Sequence, residues 1–208
     1  MKPAEPGRRE RKKEEVRGRI RDRAMELFEE HGFDNVTMER IAEAADVAKG
    51  TLYNYFPVKE AILSAYMQKY ARDLAPEVDR IIASAPDTRS RLIALFRQHA
   101  DWIEDRQDLM EKYISHRISV PLRSLREPES RSGFEEHLTR ILALGQETGD
   151  VRLDIEARIL SGCVTSFYTW VYFGWLSLPE AFDLDQAIQR TVDLFLDGAA
   201  GNDLGDEK

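Results

Sequence analysis

The chain is poor in several things, and each shortage excludes a class. It has a single cysteine, Cys163, so no internal disulfide can form, which fits a reducing cytoplasm as the expected location. No apolar run reaches the ~18 residues of a membrane-spanning helix. The longest candidate, around Phe167 to Leu178, is short and carries Thr169 and Gly174. The opening residues, MKPAEPGRRERKKEE, have no apolar stretch behind their charges and do not read as a secretory signal. Four histidines, His31, His99, His116 and His137, lack metal-ligand spacing. No segment alternates as a strand, so no glycine-rich phosphate loop follows one. No Ser, His and Asp set sits in a nucleophile elbow. An enzyme is not expected, nor a cofactor.

What is present is charge, unevenly placed, and a helical period throughout. The net charge of -8 combines a front of residues 1–72, with 15 Lys+Arg against 13 Asp+Glu, and a body with 15 against 25. A basic front on an acidic body suits a polyanionic partner at the front alone. At 42% hydrophobic residues, the 208-residue chain can bury a substantial core. The spacing predicts a first helix from about Lys13 to His31, with Ile20, Ala24, Leu27 and Phe28 as its apolar stripe and Gly32 as its stop. Arg8, Arg9, Arg11, Lys12 and Lys13 are expected before it as a mobile arm able to add phosphate or minor-groove contacts. Thr37 is a good N-cap for a second helix, Met38 to Ala45, with Glu39 in its first turn, where a negative charge suits the dipole.

Asp46-Val47 breaks that helix, and VAKGTLYNYF, residues 47–56, forms a third. Phe56-Pro57 ends it, because a residue before proline disfavours the helical region. A fourth helix starts near Lys59 and runs towards Ile82. Short helices joined by a tight turn after a longer one make a helix-turn-helix. Leu52, Phe56 and Ile41 lock the third helix down, which leaves the rest of its surface for a DNA major groove. Gly50 permits close approach to the bases, and Lys49 can donate to a guanine edge or a phosphate. Thr51 offers a hydroxyl and a methyl, while Tyr53 and Tyr55 have phenols of a length suited to phosphates at the groove rim. Lys59 is placed to hold a further phosphate. Taken singly, each residue fits an ordinary surface turn; together they favour DNA reading. A helical module that binds a small molecule or protein, and no longer binds DNA, is the competing class.

The run GFDNVTMERIAEAADVAKGTLYNYFPVKEAIL closely resembles the DNA-binding domain of the TetR family of bacterial transcriptional repressors. The resemblance covers about residues 14–74 and leaves residues 75–200 as a second, ligand-binding and dimerisation domain. It implies an all-α protein, usually of nine helices, that binds a palindromic operator in double-stranded DNA as a homodimer and answers to a small-molecule inducer, largely apolar here. It also adds Thr37 and Met38 to the DNA-binding residues. Two positions depart from the pattern. Asp46 stands where the family commonly has glycine, and aspartate tolerates left-handed geometry better than most residues. Ala48 stands where a serine often caps the third helix. By the same resemblance the last two helices pair with their mates, through Leu194, Phe195 and one face of residues 160–175. The candidate pocket walls are Phe96, His99, Trp102, Tyr113, His116, Phe167 and Trp170, with plain core packing the competing use of each.

Further helices are expected at Thr88 to Glu104, Gln107 to Val120, Arg131 to Glu147, Asp154 to Leu176 and Asp183 to Gly198. Loops are expected at Arg123 to Ser130 and Gly149 to Leu153, and a disordered tail at Gly201 to Lys208.

Overall fold

The computed structural model describes residues 7–119, 133–178 and 182–198. Among these every regular element is helical: α1 (Arg8–His31), α2 (Met38–Ala44), α3 (Lys49–Tyr55), α4 (Lys59–Ser84), α5 (Thr88–Glu104), α6 (Gln107–Ser119), α7 (Phe134–Thr148), α8 (Ala157–Ser177) and α9 (Leu184–Asp197). The expected loop Arg123 to Ser130 and the expected tail Gly201 to Lys208 lie outside the described residues. The helices form two units. Residues 7–72 with 108–119 make one; residues 73–107, 133–178 and 182–198 make the other.

Caps explain most boundaries. Thr37 Oγ1 accepts the Arg40 amide of α2, Asp87 Oδ1 accepts that of Ser90 in α5, and Asp183 Oδ1 accepts that of Gln186 in α9. The Ser90 amide also holds the Asp87 carboxyl below the usual carboxylate range. The start of α1 corrects the sequence expectation. Gly7 is its N-cap, the Glu10 carboxylate accepts the Gly7 amide at 3.0 Å, and the helix begins at Arg8. Arg8, Arg9, Arg11, Lys12 and Lys13 are therefore exposed on two regular turns of helix and do not form a loose arm ahead of it. Likewise α8 starts at Ala157 and not at Asp154, whose carboxylate pairs with Arg152 in the preceding loop. Helix α4 continues through Pro76, a residue that contributes no amide hydrogen to its ladder.

In the first unit Ile20, Ala24, Phe28, Val36, Ile41, Leu52, Phe56 and Ile62 are buried together. Burying each of the larger of these side chains stabilises by roughly 1.5–3 kcal/mol. The expected domain 14–74 ends near this unit's main segment, but the unit also takes in α6. Leu109 and Tyr113 pack on the same core, and Lys112 Nζ lies 2.8 Å from Asp34 Oδ2 in the turn after α1. In the second unit α5, α7, α8 and α9 bury Leu92, Leu95, Leu138, Ile141, Val164, Ile188 and Val192. Arg89 pairs with Asp193 and Asp197, and Arg97 with Asp185, which laces the outer surfaces of α5 and α9.

Candidate nucleic-acid interface

The turn between α2 and α3 is where the sequence departs furthest from an easy fold. Asp46 has φ 51, the one positive φ among the described non-glycine residues, so the aspartate adopts the left-handed geometry expected of it. The Val47 amide donates to Ala42 O at 3.0 Å, and the chain re-enters helix at Lys49. Ala48 gives α3 no side-chain cap. The helix is held from beneath by Leu52 and Phe56, both buried, and Phe56 leaves helical geometry at φ −141 ahead of Pro57.

The outward residues of α3 divide by how far they are committed inside the chain. The Lys49 side chain is 66% exposed. Gly50 is exposed, and a Cβ built on it would meet nothing within 4 Å. Tyr53 is exposed and Thr51 half-buried, whereas Tyr55 packs partly on the core. Met38 also packs on the core from the first turn of α2, and the exposed Thr37 uses its hydroxyl as the cap of that helix.

Lys59 has a different environment from the one its sequence position suggests. Its ammonium donates to the carbonyls of Phe33 and Val36, at 2.7 Å each, and lies 4.5 Å from the centroid of the Phe33 ring. It pins the first turn of α4 to the loop between α1 and α2. Hydrogen bonds from a charged donor contribute about 1.5–3 kcal/mol, so Lys59→Met is expected to destabilise the protein by about 2 kcal/mol. Denaturant unfolding followed by circular dichroism measures this, and an unchanged midpoint would show that the staple contributes nothing.

The expected pocket walls are divided between the two units. Phe96 and His99 do meet, in the interior of the second unit, where Phe96 stacks on Tyr168 at 3.9 Å and His99 on Phe134 at 4.4 Å. Burial lowers the His99 pKa to about 3, so its imidazole is neutral. Tyr168 Oη donates to Phe96 O at 2.7 Å. With that hydrogen used, Tyr172 donates to Tyr168 at 2.6 Å, and His99 Nδ1–H donates to Tyr172 at 3.2 Å. This is one directed chain of hydrogen bonds inside an aromatic cluster, and it leaves the lone pair of His99 on Nε2.

Trp102 is half-buried near this cluster, beneath the Arg106 guanidinium at 5.1 Å. Tyr113 belongs to the core of the first unit, and His116 lies in the last turn of α6. Phe167 and Trp170, 41% and 76% exposed, are on the outer face of α8, away from Tyr168 and Tyr172. Phe167 meets Phe195 of α9 edge-on at 6.3 Å. Phe134 escaped the sequence reading. It opens α7, where one aromatic beside a cap position carries no periodic signal.

Comparison with known proteins agrees with this geometry. Residues 20–66 match the family model for bacterial regulatory proteins of the tetR family. The repressor KstR2 of Rhodococcus jostii is 26% identical over 187 residues, 88% of this chain and 91% of that protein. The crystal structure of Thermus thermophilus FadR, a TetR-family repressor in complex with lauroyl-CoA, is 27% identical with a TM-score of 0.80, covering 92% of this chain and 99% of that one. FadR of Bacillus subtilis, in complex with stearoyl-CoA, shares the fold at 21% identity and a TM-score of 0.64, over 88% and 99% of the two chains. Residues 20–66 are therefore a tetR-type DNA-binding region, and over most of its length the chain is similar to TetR-family transcriptional repressors.

Proposed function

We propose that the protein is a cytoplasmic repressor that reads one half of a palindromic operator with each copy of α3 and is released by a long-chain acyl-CoA. Residues 14–74 are the DNA-reading domain and residues 75–200 the ligand-binding and dimerisation domain. Lys49 and Thr51 address base edges, and Tyr53 and Tyr55 address phosphates, with Thr37, Met38 and Lys59 framing the groove side of the motif. The observation that carries this reading is Gly50. Glycine in a helix costs about 1 kcal/mol relative to alanine, and a methyl group at this position would touch nothing in the protein. What its absence clears lies outside the chain, as close approach to DNA requires.

The inducer class follows from the likeness to the Thermus thermophilus repressor bound to lauroyl-CoA. The second unit suits the apolar part of such a molecule. Its interior presents aromatic faces, a neutral imidazole and hydroxyls already ordered by one another. Polar groups satisfied in this way impose little desolvation cost on an acyl chain beside them.

Fluorescence anisotropy on DNA from upstream of the protein's own gene, with and without lauroyl-CoA, tests both parts. Specific binding that weakens roughly 5- to 150-fold with ligand is expected, the usual range of allosteric coupling. Operator DNA must then weaken lauroyl-CoA binding by the same factor. Weak, sequence-independent binding would favour the module that no longer reads DNA. Equal affinity of lauroyl-CoA for the free dimer and the operator complex would remove acyl-CoA as inducer.

A further inference from the structure

One charge pair on the DNA-facing side of the first unit has no role in the reading above. Glu39, in the first turn of α2, places its carboxylate 3.5 Å from the ammonium of Lys49 in the first turn of α3. Both side chains are open, 49% and 66% exposed, on either side of the α2–α3 turn. The helix dipole alone accounts for an acidic residue in a first turn. It does not account for an acidic residue beside the lysine that addresses the bases. A carboxylate on a surface that meets phosphates is repelled unless a donor on the DNA comes to it. In the major groove the cytosine N4 amino group is the donor that a carboxylate accepts from, and guanine O6 and N7 are the acceptors that a lysine addresses.

We propose that Glu39 is a specificity-determining residue. Its carboxylate accepts from a cytosine amino group while it steers the Lys49 ammonium onto guanine, so that the pair selects G·C at one or two adjacent positions of each half-site. The proposal rests on α3 entering the major groove as described under Proposed function. It adds a residue of α2 to the base-reading set and assigns the set a base composition.

The test is a panel of operator duplexes, with each base pair of one half-site substituted in turn, titrated against wild type, Glu39→Gln and Glu39→Ala. Circular dichroism confirms the fold of each variant. Wild type is expected to discriminate by roughly 5- to 150-fold for G·C at one or two adjacent positions, the worth of a good base contact. Glu39→Ala should flatten that preference while leaving the other positions alone. Glu39→Gln should move it toward A·T, because an amide can bond adenine N6 and N7. If wild type discriminates but both variants keep its preferences and merely bind every sequence more tightly, Glu39 acts only through its charge and the proposal falls. If wild type shows no preference at any position, base reading by α3 has failed, and the proposal fails with it.

Discussion

The double substitution Phe167→Glu with Trp170→Glu is expected to turn the protein into a monomer and to weaken operator binding by about 10²–10⁴-fold, the avidity that linking two reading heads supplies. Both aromatics stand on the outer face of α8, and Leu194 of α9 is exposed as well. Large aromatics left open on one face mark an interaction surface, and the dimer contact proposed from the family resemblance uses the last two helices. A two-fold interface uses the same patch on both partners. Two substitutions therefore bring four carboxylates into one desolvated contact. Neither side chain belongs to the buried core, so circular dichroism and the thermal transition of the monomer should show an intact helical fold. Light scattering with anisotropy on the same samples reads the outcome. A variant that stays dimeric and binds operator as wild type does would place the interface elsewhere.

Replacing Gly145 by alanine is expected to lower the melting temperature by about 5–10 °C, although alanine is the better helix former. A Cβ at this position of α7 would overlap Thr88 Oγ1 and come within 2.6 Å of a Val151 methyl. Thr88 cannot turn aside. It is 1% exposed, and both its amide and its hydroxyl donate to Asp150 Oδ2, at 3.1 and 3.2 Å. Overpacking of this kind costs about 1–3 kcal/mol, and giving up the Asp150 bonds adds to it. Adding Thr88→Ala should recover part of the loss by removing the overlapping oxygen. A wild-type melting temperature for Gly145→Ala alone would show that α5 and α7 separate without cost.

Much of this architecture was legible because the boundaries are written in capping chemistry. Thr37, Asp87 and Asp183 start helices where side-chain oxygens meet free amides, and Phe56-Pro57 and Gly32 stop them. The start of α1 was not legible. Its first residues are charged on every side and have no apolar period, and the cap comes from the reach of Glu10 back to Gly7. Nor could spacing divide the aromatics of α8. Aromatics at 167, 168, 170, 172, 173 and 175 leave no face of the helix without one, so only packing shows that Tyr168 and Tyr172 turn inward and Phe167 and Trp170 outward. Tyr113 shows the same limit over a longer range, since its partners lie in another stretch of the chain. On α3, Lys49, Gly50 and Tyr53 are exposed as their residue types suggested, whereas Tyr55 packs partly on the core. The use of Lys59 as a clamp on two carbonyls was not legible, because nothing local announces a contact 26 residues away.

Proline 76 gives α4 a mechanical character that its length alone would not. A helix of 26 residues is a beam ~39 Å long, and an unbroken ladder of amide bonds would spread any load evenly along it. Pro76 offers no hydrogen to the Arg72 carbonyl one turn earlier, and its ring crowds that oxygen. Bending compliance is thereby concentrated in a single turn, at the boundary where the chain passes from one unit to the other between Arg72 and Asp73. The turn from Arg72 to Pro76 lacks one rung of the ladder and is the least supported section of the beam.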